Sequence, residues 1–67
     1  MTGVWLIERT DQGGGFVSPP GSVKSYQRDP VTARRFDTAE AAEAERCIEN
    51  ERTVRLRDVL ARVTSSD

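Results

Sequence analysis

Val4-Trp5-Leu6-Ile7-Glu8-Arg9, then Asp11-Gln12-Gly13-Gly14-Gly15, then Phe16-Val17 is the stretch that decides the fold. The first run is apolar, rich in strand formers, and closed by two charges. Three consecutive glycines permit positive φ at several positions, which marks a turn. Phe16-Val17 resumes the strand pattern, so the reading is a β-hairpin with a loop of about five residues. Pro19-Pro20-Gly21-Ser22 stops the second strand, because neither proline can donate to a ladder. A weaker third strand is expected over 23–28, with Tyr26 its large inward candidate.

Downstream the pattern turns helical. Asp29-Pro30 places Asp at an N-cap and Pro at N1, opening a single turn through Ala33 to Arg35. Asp37 and Glu40 have capping-box spacing, with Phe36 and Ala41 at the staple positions. From Thr38 to about Glu51 there is no Gly or Pro and there are four alanines, which predicts the main helix. At 100° per residue Ala41, Ala44 and Ile48 line its apolar face, with Cys47 at the edge as a small core residue. Glu43 and Arg46 are spaced for an i,i+3 pair, whereas Glu45 and Glu49 are like charges at i,i+4. Thr53-Val54-Arg55-Leu56-Arg57 alternates with period two, which sends Val54 and Leu56 inward and Arg55 and Arg57 outward. The stretch from Asp58 to Val63 reads equally as a strand continuation or as a helical turn packing Val59 and Leu60.

The expected architecture is α+β: a small antiparallel sheet of three to four strands with one main helix packed on a face. Residues 1–63 form a single domain and 64–67 a frayed tail. A chain of 67 residues buries only about 60% of the surface its unfolded form exposes. One cysteine and no histidine leave neither an intrachain disulfide nor a zinc site of the usual ligands. Self-association could supply the missing burial, so monomer and homodimer are both expected states. The chain has no apolar run long enough for a membrane span and no signal peptide or lipidation motif. With a lone thiol, it reads as cytoplasmic. An opening Met1 with no tag suits a complete short gene product.

Chemistry is scarce. Cys47 has no histidine to activate it. Ser18, Ser22 and Ser25 lack a nucleophile-elbow context, and the glycine run lacks the Lys-Ser/Thr and the helix of a phosphate loop. Paired carboxylates need a cleft that separates their pKa values, which a domain of this size can hardly form. The chain therefore reads as non-enzymatic, with no cofactor and no metal.

Charge is more informative. Residues 37–51 hold six acids and one base, a net −5, while the other 52 residues are net +4. Glu40, Glu43, Glu45 and Glu49, spread along about 20 Å of helix, can imitate a line of phosphates on a basic, nucleic-acid-binding surface of a partner protein. The alternative is nucleic-acid binding by the chain itself through Arg34, Arg35, Arg55 and Arg57, with Trp5, Phe16 or Tyr26 stacking on bases. A sequence pI of about 5.4 weighs against that alternative. A third reading is a structural or assembly module joined through an exposed sheet edge.

A resemblance bears on the choice. Trp5-Leu6-Ile7-Glu8, Gly15-Phe16-Val17-Ser18, Tyr26 with Asp29-Pro30, Ala33-Arg34-Arg35-Phe36, Thr38-Ala39-Glu40-Ala41-Ala42-Glu43 and Asn50-Glu51 together resemble a loose group of small proteins encoded by phages and prophages. The likeness runs from Val4 to Leu60 and transfers no catalytic residue. It implies an accessory protein of an infected or lysogenic bacterial host. Such proteins are often stoichiometric inhibitors, among them anti-CRISPR proteins, some of which mimic DNA. The implied partner is a host protein with a basic nucleic-acid-binding surface, such as a CRISPR effector subunit.

Overall fold

The computed structural model describes residues 3–64. In chain order the elements are β1 (Trp5–Arg9), β2 (Phe16–Val17), β3 (Tyr26–Gln27), α1 (Ala39–Glu45), β4 (Glu51–Arg55) and α2 (Leu56–Thr64). The four strands form one antiparallel sheet in the order β3-β2-β1-β4, so the α+β reading and the glycine hairpin hold. The third strand is only Tyr26–Gln27. Val23, expected within it, is fully exposed.

The sheet is covered on both faces. Side chains alternate along a strand, and on β1 Leu6 and Ile7 point opposite ways and are both buried, at 0% and 2% exposure. Leu6 packs with Phe16, Ala33, Val54 and Val59, the last from α2. Ile7 packs with Phe36 and with Ala42 from α1, and Trp5 and Val17 border that cluster. The fold is thus two small cores back to back, not a sheet with one helix on one face. The continuous run Val4 to Ile7 suits a strand buried on both sides. Beyond the end of β2, Phe36 takes its place beside β1 and exchanges two backbone hydrogen bonds of 2.9 Å with Trp5.

Both helices differ from the sequence expectation. α1 has seven residues and is capped by Thr38, whose hydroxyl accepts from the Ala41 amide at 3.1 Å. The cap is therefore Thr38, not Asp37, because Thr38 places Ala42 inward against Phe36 and Ile7. This rotation overturns the expected stripe: Ala41, Ala44, Cys47 and Ile48 are all exposed. The 58–63 ambiguity resolves as helix, and the strand ends at Arg55, so Leu56 and Arg57 lie on α2. Leu56, Val59 and Leu60 at i, i+3 and i+4 are the amphipathic signal there. Asp58 in its first turn and Arg62 in its last suit the helix dipole. Thr64 closes α2, and the rest of the expected tail, 65–67, lies outside the described residues.

One polar cluster ties α2 to the sheet. Glu8 on β1 accepts from Arg52 Nε and Nη2 across the strand pair at 3.0 and 2.9 Å, and from Arg62 on α2 at 2.8 and 3.1 Å. Burial pushes the Glu8 carboxyl up, but the hydrogen bonds and charges of Arg62 and Arg52 outweigh it, so its pKa sits below the ordinary value.

A depressed carboxylate contributes stability above its unfolded-state pKa, and that stability is lost as pH falls through the folded value. Urea unfolding between about pH 3 and 7 should therefore show Glu8→Gln less stable than wild type at neutral pH, with the gap closing in acid. A gap that stays constant with pH would overturn the assignment. At the hairpin, Gly15 has φ +107° and a Cβ there would meet the Gln27 carbonyl oxygen at 3.3 Å, whereas one at Gly13 (φ +83°) meets nothing within 4 Å. Gly15→Ala should cost about 2–3 kcal/mol and Gly13→Ala about 1 kcal/mol. Equal urea midpoints for the two variants would refute the steric difference.

Candidate functional site: an acidic ridge and its supports

The acids of the central segment do not all ride on one helix. Seven residues make about 10 Å of α-helix, half the expected length. Arg46 leaves the helix in extended geometry, φ −75° and ψ 153°. Its side chain reaches both ways, donating to Glu43 at 2.7 Å and to the Glu51 carbonyl at 2.8 Å. The Glu51 carboxylate accepts the Cys47 amide at 2.6 Å and also receives the Tyr26 hydroxyl. The Cys47 carbonyl accepts the amides of Asn50 and Glu51 at 3.3 and 2.9 Å. These bonds fold Cys47 to Asn50 into a turn and deliver Glu51 to β4. Glu49, expected on the helix beside Glu45, is on this turn instead.

Glu40, Glu43, Glu45 and Glu49 are all exposed, but they are not equally available. Glu43 pairs with Arg46, as its spacing predicted, and that hydrogen bond holds its carboxyl below the ordinary range. Glu45 lies 3.8 Å from Arg34, a loose contact. Glu40 and Glu49 have no ion pair among the described residues. Between Glu45 and Glu49, at the tip of the turn, Ile48 is 80% exposed. The reading that buried Ile48 missed this feature, because helical periodicity cannot register where a helix ends.

The arginines are placed differently. Arg55 stacks over Trp5 and Arg34 over Phe36, each 4.7 Å from the ring centroid. Since Trp5 and Phe36 are neighbours across the backbone bridge, Arg34 and Arg55 bracket an aromatic pair on the α1 side of the sheet. Arg9 covers Tyr26 in the same way at 4.8 Å. Arg35 donates to the Val31 carbonyl at 2.8 Å, and Arg57 is exposed on α2. The expected nucleic-acid set is therefore divided: Arg34 and Arg55 cover rings, a contact worth about 0.5–1 kcal/mol each at such sites, with Phe36 buried beneath Arg34 and Trp5 half-buried beneath Arg55. Among the described residues no group of three or more Cys, Asp or Glu side chains could hold a metal ion, and no helix is long and apolar enough to cross a membrane.

Tyr26 is the chain's single tyrosine, so its titration is cleanly visible by ultraviolet absorbance. Its hydrogen bond to Glu51, then burial and the Glu51 charge, hold the phenol above its ordinary value. Glu51→Gln should return the phenol toward that value and speed hydrogen exchange at the Cys47 amide. An unmoved titration would show that Glu51 does not support the turn. No family model, curated protein or solved structure matches this chain.

Proposed function

We propose that the chain is a non-enzymatic binding module that docks its acidic ridge, α1 with the 47–50 turn, on a basic surface of a partner protein. The observation that carries this reading is Ile48, exposed at 80% on a turn pinned by Glu51 and Arg46, between Glu45 and Glu49. An exposed apolar anchor flanked in sequence by carboxylates suits a small protein interface, in which the anchor supplies affinity. The carboxylates around it set association rate and selectivity. A surface that matches them is one built to hold nucleic acid. In the setting implied by the phage resemblance, the partner is a host defence protein such as a CRISPR effector subunit, and the mechanism is occlusion of its DNA-recognition surface.

Glu43 is neutralised by Arg46, so the working acids are Glu40, Glu45 and Glu49. The test is affinity capture from bacterial lysate with tagged protein, followed by duplex DNA competition and a salt gradient. The expected result is a nucleic-acid-handling protein, displaced by DNA and released at moderate salt. Glu40→Lys/Glu45→Lys/Glu49→Lys should abolish capture, and Ile48→Asp should weaken binding by about 30-fold or more. If both variants fold normally and retain the partner unchanged, the ridge is not the interface.

A further inference from the structure

A second site lies beside β3. Between the glycine hairpin and β3 is a cleft of about 360 Å³, walled by Gly13, Gly14, Lys24, Tyr26, Gln27 and Arg28. That size is in the range of small-ligand sites. Lys24 and Arg28 both line it, and neither has an ion pair among the described residues. No carboxylate lines it. The nearby acids are already engaged: Asp11 with Arg9 at 2.5 Å, and Glu51 with the Tyr26 hydroxyl. Two uncompensated cations facing one concavity repel each other unless an anion sits between them.

The hairpin main chain is open at its tip, at Gly13. Gln12, Gly13, Gly14 and Gly15 all have positive φ, and a Cβ at Gly13 would meet nothing within 4 Å. A ligand can therefore approach the backbone without crossing a side chain. The geometry points to a binding site for a phosphate-bearing ligand of nucleotide size, with Lys24 and Arg28 gripping the phosphate. The cleft shares no residue with the acidic ridge, and the two meet only through the bond from Tyr26, which lines the cleft, to Glu51, which pins the ridge's turn.

The phosphate could belong to a free nucleotide or to the end of a single-stranded nucleic acid, and the test separates them. Amide chemical shifts of the full chain are followed by NMR at low ionic strength, titrating ATP and, in parallel, a short oligothymidylate. Saturable shifts at Gly13, Gly14, Lys24 and Arg28 are expected. Lys24→Gln/Arg28→Gln, whose side chains support no other contact, should weaken binding about tenfold or more with an otherwise unchanged spectrum. Tighter binding of ATP assigns the site to free nucleotides, and tighter binding of the oligomer assigns it to strand ends. Shifts no larger than sodium chloride produces at equal ionic strength would overturn the site. So would undiminished binding by the double variant. The Ile48→Asp variant, which removes the ridge's apolar anchor, should still show these shifts and their loss with Lys24→Gln/Arg28→Gln, so the two sites fail or stand separately.

Discussion

Everything in this protein hangs on β1 being buried from both sides. Leu6 and Ile7 are adjacent in sequence and point into different cores. A domain this small gains little from a single thin hydrophobic layer. Sharing one strand between two layers lets the same backbone hydrogen bonds support both. The arrangement explains the otherwise isolated roles of Phe36, which replaces β2 beside Trp5, and of Val59, which closes the opposite face. It also explains why the charges of Glu8, Arg52 and Arg62 are gathered where α2 crosses the sheet: the carboxylate is pinned by two guanidinium groups and so remains charged while half-buried.

The second constraint is the bond set around Glu51. Local propensity favours a helix running on past Arg46, but the chain must return to pair antiparallel with β1 from Arg9↔Glu51 to Trp5↔Arg55. Glu51 meets this demand with both halves of the residue. Its backbone accepts Arg46, and its carboxylate takes the Cys47 amide and the Tyr26 hydroxyl. The turn that results pushes Ile48 into solvent. An apolar side chain held out in this way is a consequence of sheet registry, and a binding function would use a projection the fold already makes.

The charge asymmetry of the sequence becomes a spatial separation. Acids concentrate on α1 and the turn after it, on the β4 side. Lys24 and Arg28 lie beside β3 at the far edge of the sheet. The arginines between them mostly lie over aromatic rings or against Glu8. The acids of the ridge and the two cations beside β3 thus occupy different stretches of the surface of a small domain.

Much of this was legible in the residues. The Gly13-Gly14-Gly15 hairpin, the Asp29 turn, the Glu43–Arg46 pair and an α+β sheet follow from turn chemistry, φ preferences and i,i+3 spacing, all of which act over a few residues. The run Val4 to Ile7 marked a strand, but not that both of its faces would be covered. Tertiary structure alone decided which side of α1 is buried, because four alanines leave the helix free to turn and Phe36 with Ile7 selects Ala42. It alone ended that helix at Glu45: the stopping bonds come from Glu51, only four and five residues on but placed by the pairing of β4 with β1, and Glu51 is held in turn by Tyr26 on β3. The exposed Ile48 and the cationic cleft of Lys24 and Arg28 arise from those same long-range choices, which no local pattern encodes.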